Sequence, residues 1–356
     1  MTPKKTFSHI AAAGTLALTL ALTVSAVAPI PSVGLISTGG FANAVSIGVV
    51  GGRVGNHAVL WSNGQALDVH PAAYTFSAIS GRRDGLSVGY AGTPSTAQAA
   101  IVWRGTLAST LPVPFDSVTG RAVATDGVQI VGYANEGDPE RTIGDVHALL
   151  WNAATGEVTD LGRDRTLYGV GGGVQVGITT GSNGSTAALW RGTPNSFVNL
   201  HVQGQDVSVA TATNGPIQVG YVGLDVRVRH EGRPRNIRFY SAGLWTGTAA
   251  SFTYLPSPYR HSFALAITGD GDTIVGYGNT TDAIGTPRDS HAVAWVGPNH
   301  TVVDLHALLP ADMRTSLATA VDEQGNIVGY GVTTDGTVRS YIWRLADRPR
   351  MLPVEP

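Results

Sequence analysis

The chain has 356 residues, ordinary hydrophobic content and little charge, with 23 Lys and Arg against 25 Asp and Glu. That balance creates no field that would pull the chain onto nucleic acid or an anionic membrane. It has no cysteine, so disulfides, thiolate metal sites, a cysteine nucleophile and a lipoprotein anchor are excluded.

The N-terminus has the three parts of a secretory signal. Lys4 and Lys5, the only lysines, form a basic head. An apolar run follows from Ile10 to about Ala28, and Val24-Ser25-Ala26 puts small residues at the cleavage positions. We expect residues 1–26 to be a cleaved signal peptide, 27–40 a linker and 41–356 a single domain. A second small-residue site, Ala42-Asn43-Ala44, falls inside what reads as a first strand from Phe41 to Ser46. The alternative is an uncleaved anchor, because the run is about 19 residues long and that length can span a bilayer. No other stretch approaches a span, so none is expected after cleavage. Loss of the two lysines takes the net charge from −2 to about −4.

A repeat then fills the chain. Its tryptophans are Trp61, Trp103, Trp151, Trp190, Trp245, Trp295 and Trp343, spaced 39 to 55 residues apart. The text around them recurs as His-Ala-Val-Leu-Trp at 57–61, His-Ala-Leu-Leu-Trp at 147–151 and His-Ala-Val-Ala-Trp at 291–295. A Val-Gly or Val-Gly-Tyr motif precedes each, at Val50, Val88, Val131, Val176, Val219, Val275 and Val328. Seven of one motif interleave with seven of the other, which defines seven units.

Each unit reads as four short strands. A small alternating strand comes first, then a turn that is often Asp-Gly or Asn-Gly, as at Asp84-Gly85 and Asn214-Gly215. Strand two carries Val-Gly, strand three the tryptophan, and strand four ends in Asp-Leu or a variant. The Gly-to-Trp spacing varies from 10 to 25 residues, so insertions concentrate in the hairpin between strands two and three. Such a sheet needs neighbours to cover both faces. The expected fold is therefore all-β, a seven-bladed β-propeller of four-stranded antiparallel blades, with tryptophan wedged between blades. The competing reading is an open β-solenoid, which wants shorter periods and no tight antiparallel turns.

His57, His147 and His291 each lie four residues before a tryptophan, and the same three units carry Asp68, Asp160 and Asp304 in strand four. Antiparallel strands three and four bring His and Asp to one face, so a structural pairing in the seam between blades is expected. Three histidines from three different units would not converge on one ion, so no metal and no cofactor are expected.

His-Ala-x-Leu-Trp, the following Asp-Leu and Gly-x-Ile-Val-Gly-Tyr together resemble the HAF-repeat extracellular proteins. The likeness covers almost everything after residue 40. It departs from the family where Val or Leu replaces Phe and where four units lack His. It implies a bacterial secreted or surface β-repeat protein and carries no catalytic residue with it.

The longest variable hairpin is in unit five. Arg227, Arg229, Arg233, Arg235 and Arg238 surround His230 there, a basic finger in an acidic chain. Arginine forks suit carboxylate, sulfate and phosphate. The bland reading is a solvated hairpin. The unit-three hairpin is acidic, with Glu136, Asp138, Glu140 and Asp145. The leading functional expectation is a secreted, monomeric, non-catalytic binding propeller whose ligand is an anionic polysaccharide or an acidic protein. The alternative is a polysaccharide lyase or glycosidase with its site in the central funnel. For that, Tyr259, Arg260 and His261 are the one contiguous trio of suitable type.

Overall fold

A computed structural model describes residues 32–94, 96–137, 145–181, 184–230 and 233–345. The stretch expected as a signal peptide, residues 1–26, lies outside these residues. Every regular element among them is a strand, apart from three short 3₁₀ turns. The first strands of the seven units are Gly40–Ser46, Phe76–Arg83, Ser117–Thr125, Arg165–Gly171, Val207–Thr213, His261–Ile267 and Met313–Val321. Each pairs antiparallel with the strand that follows it. All seven line one central cavity, as the inner strands of a β-propeller do.

The expectation of seven separate four-stranded blades is corrected by the sheet pairing. Five sheets stand alone as four-stranded antiparallel blades. The strands of units two and three form one continuous eight-stranded sheet, joined where Thr119 pairs parallel to Gln98. The join has a local cause at Gly120. At four of the other six inter-unit seams a serine on the inner strand acts as a spacer; unit four has Arg165 at that position, and where unit one has Gly40, Ser340 of the last unit accepts the Ala42 amide instead. The Oγ atoms of Ser77, Ser208, Ser262 and Ser316 accept the amides of Ala58, Ala187, Ala242 and Ala292 from the preceding unit, at 2.9 to 3.0 Å. Unit three has Gly120 at that position. A Cβ there would lie 3.3 Å from the Ala100 nitrogen and 3.4 Å from the Gln98 oxygen. Without a side chain the two backbones close together and pair directly.

The 27–40 linker is corrected as well. Ser32–Thr38 is a strand, antiparallel to Val338–Arg344, and it completes the last sheet. The first and last units meet in one apolar cluster, where Ala42, Val45 and Trp61 pack on Val328 and Ile342.

Each tryptophan heads its own cluster against the preceding unit. Trp103 packs on Ala44, Ala58, Leu60 and Val69, and Trp343 packs on Val275, Ala292, Ala294 and Leu305. Six of the seven are fully buried and Trp61 is nearly so. In four units indole Nε1 donates to a carbonyl at the end of the previous unit's outer strand, whereas the Nε1 atoms of Trp190 and Trp245 are buried without a partner. Trp103 reaches Val69 at 2.8 Å, Trp151 reaches Pro112 at 2.6 Å, Trp295 reaches Pro256 at 2.6 Å and Trp343 reaches Leu305 at 3.0 Å. In these four the indole joins a large apolar area to one satisfied donor.

The Val-Gly glycine has a steric cause. Opposite it, each inner strand carries a one-residue bulge, at Asn43, Ser80, Val123, Tyr168, Thr211, Leu265 and Thr319. The bulge presses a carbonyl toward the glycine. A Cβ on Gly132 would lie 1.9 Å from the Arg121 oxygen, and its counterparts in the other units would meet the same carbonyl at 1.9 to 2.0 Å. In unit one the equivalent residue is Gly52, one position beyond the Gly51 of the Val-Gly text.

Candidate functional site: the channel and the hairpin face

The bulged residues turn their positions to the axis, and all seven line a cavity of about 540 Å³. Its wall is mostly Gly, Ala, Val and Thr. Three polar bulge residues stitch neighbouring units together. Asn43 Nδ2 donates to the Ile79 carbonyl at 2.9 Å, Thr211 Oγ1 to Ala264 at 2.8 Å and Thr319 Oγ1 to Ala42 at 2.8 Å. The exceptions in size or charge are Tyr168, Arg82, Arg83 and Asp126.

Toward the hairpins the channel mouth becomes aromatic. The residue after each Val-Gly glycine points there, and in five units it is tyrosine. Phe41 meets Tyr330 edge-on at 4.9 Å, Phe263 stacks on Tyr277 at 4.6 Å, and Tyr221 meets Phe263 at 4.9 Å. Arg53 lies 4.0 Å over Phe41, and Arg121 lies 4.1 Å over Tyr90. Burial pushes the Tyr221 hydroxyl up to about 12, with the hydroxyls of Tyr277, Tyr168 and Tyr240 adding to the shift. The Tyr221 phenol is a neutral donor at any physiological pH.

The unit-five hairpin rises from this mouth. Its register pairs Asp225 with Arg238, Arg227 with Asn236 and Arg229 with Pro234. Strand alternation therefore divides the five arginines between two faces. Arg227, Arg229 and Arg238 share a face with Tyr221 and Tyr240, whose rings are 5.7 Å apart. Arg233 and Arg235 share the other face with Val226, Val228 and Ile237. The single basic finger expected from sequence is corrected to this two-sided ribbon. Arg227, Arg229, Arg233 and Arg235 are exposed. Arg238 is neutralised by Asp225 through two 2.7 Å contacts, which hold the guanidinium well above its usual range and the carboxyl below its own. His230 pairs in register with Arg233.

The trio considered for an enzyme does not converge. His261 is fully buried; it accepts the Tyr240 amide on Nδ1 at 3.4 Å and donates from Nε2 to the Gly285 carbonyl at 2.8 Å. Both ring nitrogens are thereby used, and neither is left for proton transfer. The Tyr259 hydroxyl meets His291 Nδ1 at 3.2 Å. Burial and the neighbouring Asp304 carboxylate push that phenol up to about 12.

The histidine–aspartate units differ from one another. His57 Nδ1 lies 2.7 Å from Asp68 Oδ2, and His147 Nδ1 lies 2.6 Å from Asp160 Oδ2. His291 does not follow this pattern, because Tyr259 takes its Nδ1 instead. The sequence reading missed a second histidine set that shares a fastening role. His70, His201 and His306 each face the spacer serine of the next unit, at 2.7 to 2.9 Å from Ser77, Ser208 and Ser316. His70 stacks on His57 at 4.0 Å, and His306 stacks on His291 at 3.8 Å. The signal for this set is present in the text as Asp-Val-His, Asn-Leu-His and Asp-Leu-His, two residues after each acidic or amide side chain.

In unit three, Arg163 binds Glu136 at 2.7 Å and Asp145 at 3.1 Å. Asp138 and Glu140 lie outside the described residues. Among the described residues no group of three or more acidic or histidine side chains gathers as a metal site, and no helix is long and apolar enough to cross a membrane.

No protein-family model matches the chain, and no curated protein sequence matches it. Solved structures do. The crystal structure of the tricorn protease matches with a TM-score of 0.57 at 10% identity, covering 90% of this chain and 35% of that one. The chain thus spans about a third of the protease it matches. TolB from Acinetobacter baumannii matches with a TM-score of 0.45 at 11% identity, over 82% of this chain and 77% of that one. Oligogalacturonate lyase from Vibrio parahaemolyticus gives 0.46 at 9% identity, over 82% and 84%. At such identities the likeness concerns fold alone. The fold is a β-propeller.

Proposed function

We propose that this protein is an exported, non-catalytic binding propeller whose hairpin face takes an anionic polysaccharide. One observation carries the reading. A single face of the unit-five hairpin runs from Tyr221 and Tyr240 at the channel mouth to Arg238, Arg227 and Arg229 at the tip. Phenol rings offer flat apolar area with a polar edge, which suits a pyranose ring. Guanidinium forks suit the carboxylate or sulfate that an acidic sugar carries. The resemblance to HAF-repeat proteins and the signal-like N-terminus agree with a place outside a bacterial cell.

The test is retention on immobilised polygalacturonate, with neutral dextran as control. The wild-type chain is expected to be retained on the acidic polymer only. Arg227→Ser with Arg229→Ser is expected to remove retention, and Tyr240→Ala to weaken it. Retention unchanged by both variants would sink the proposal. Retention on an acidic protein but on no acidic glycan would reassign the ligand.

A further inference from the structure

Arg82 stands out in the channel wall at the mouth opposite the hairpins. It lies two residues beyond the bulge of the unit-two inner strand. The equivalent positions of the other units hold Val45, Thr125, Val170, Thr213, Ile267 and Val321, all uncharged. Arg82 is half-buried and lines the 540 Å³ cavity. Its Nη1 donates to Ser87 Oγ at 2.6 Å, and Ser87 is fully buried. Its Nε is shielded from solvent and has no hydrogen-bond partner.

Neighbouring charges do not compensate it. Arg83 takes Glu323 at 2.7 Å and also faces Asp84. Asp126 lines the same cavity, but its Oδ1 accepts the amides of Val128 and Gln129 at 3.0 and 2.7 Å, closing its own turn. Burial alone, with no opposing carboxylate, pulls the Arg82 guanidinium below its usual range. An uncompensated cation in a partly dehydrated wall is costly, and a bound anion relieves the cost.

We infer that the turn-side end of the central channel is an anion site in which Arg82 grips a small oxyanion: a sulfate, a phosphate or a compact carboxylate. The site is separate from the hairpin face. The cavity has room for such a group beside the guanidinium. Ser87 fixes Nη1 of the fork, and the part of the guanidinium that lines the cavity is left to take the anion.

The experiment titrates the full chain with sodium sulfate and with sodium phosphate in a zwitterionic buffer, read by calorimetry, at ionic strength matched with sodium chloride. One site is expected on the wild-type chain. Arg82→Met should weaken binding by about tenfold or more, as loss of a charge-assisted fork does, and Arg82→Lys should fall between. The Arg227→Ser, Arg229→Ser double variant should bind as wild type. In anion-poor buffer Arg82→Met should melt at a higher temperature than wild type, because the unpaired cation is gone. The inference fails if Arg82→Met binds both anions as wild type does. It also fails if binding follows the hairpin arginines, if the wild-type chain binds neither anion, or if Arg82→Met melts lower in anion-poor buffer.

Discussion

Arg238 clasps Asp225 across the unit-five hairpin, Nε to Oδ1 and Nη2 to Oδ2, each at 2.7 Å. The clasp lies between the tyrosine mouth and the exposed arginines of the tip. It removes one positive charge from the face that otherwise offers three.

Breaking the clasp should raise affinity rather than lower it. Asp225→Ala frees the Arg238 fork on the same face as Arg227 and Arg229. The pair is exposed and screened by solvent, so the gain for polygalacturonate should be modest, about twofold to fivefold, with a steeper dependence on salt. Surface plasmon resonance at two salt concentrations measures both. Lower affinity in Asp225→Ala would show that the clasp positions the hairpin and does not merely mask a charge.

The spacer serine should behave as a structural joint. Ser316 Oγ accepts the Ala292 amide at 2.9 Å and meets His306 Nδ1 at 2.8 Å, fully buried. Ser316→Ala leaves the amide without a partner, which costs about 1–3 kcal/mol. The urea midpoint should fall with no change in slope. Serine at this position in unit three, Gly120→Ser, should push the neighbouring backbones apart and weaken the Thr119–Gln98 join, read as faster amide exchange there.

Two adjacent glycines give a sharp comparison. A Cβ on Gly52 meets the Phe41 backbone oxygen at 1.9 Å, whereas on Gly51 it meets the Ile79 side chain at 2.7 Å. A methyl group in the side chain's way can be accommodated; a carbonyl cannot move without breaking the ladder. Gly52→Ala should therefore lower the melting temperature more than Gly51→Ala. Equal losses would argue against the bulge as the cause.

Acid should act in two stages. Burial and the stacked His291 hold His306 below its ordinary value. The unfolded chain therefore takes up that proton first, near pH 6.5, and stability falls as pH drops below that point until the folded histidine also titrates. The carboxyls of Asp68 and Asp282 are held low by hydrogen bonds in the folded state. Asp335 is held at about 2, chiefly by its hydrogen bond from Thr333. Their contribution is complete above their ordinary value near 4 and is lost as pH falls further. His306→Gln should remove the first stage and leave the second, as followed by urea titrations from pH 8 to pH 3.

The propeller class is legible because two independent motifs recur in step, one for the wedge between sheets and one for the close approach beneath a bulge. The number of separate sheets is not, because it depends on local spacing at one seam, where Gly120 has no side chain and no serine from the neighbouring unit stands in for it. Gly120 in place of serine is invisible to any count of tryptophans. The strand at Ser32–Thr38 escaped for a related reason. Val33, Leu35 and Ile36 alternate too weakly to signal a strand alone, and the partner lies at the far end of the chain. The arginines of the hairpin were legible as charge but not as two faces. The pairing of Arg227 with Asn236 depends on the turn beyond them.

The pairing of Val33 with Trp343 makes the ring a test of completeness. The two halves of its clasp emerge from synthesis at opposite times, the first held waiting until nearly every other residue has appeared. A chain cut short by the last repeat cannot close, and it leaves the apolar flanks of two sheets bare. Loss of the residues up to Ala44 would do the same from the other end, stripping off the clasp and most of an inner strand. Quality control needs no separate signal in such a molecule, because an unfinished or over-trimmed copy announces itself by its stickiness and its open seam.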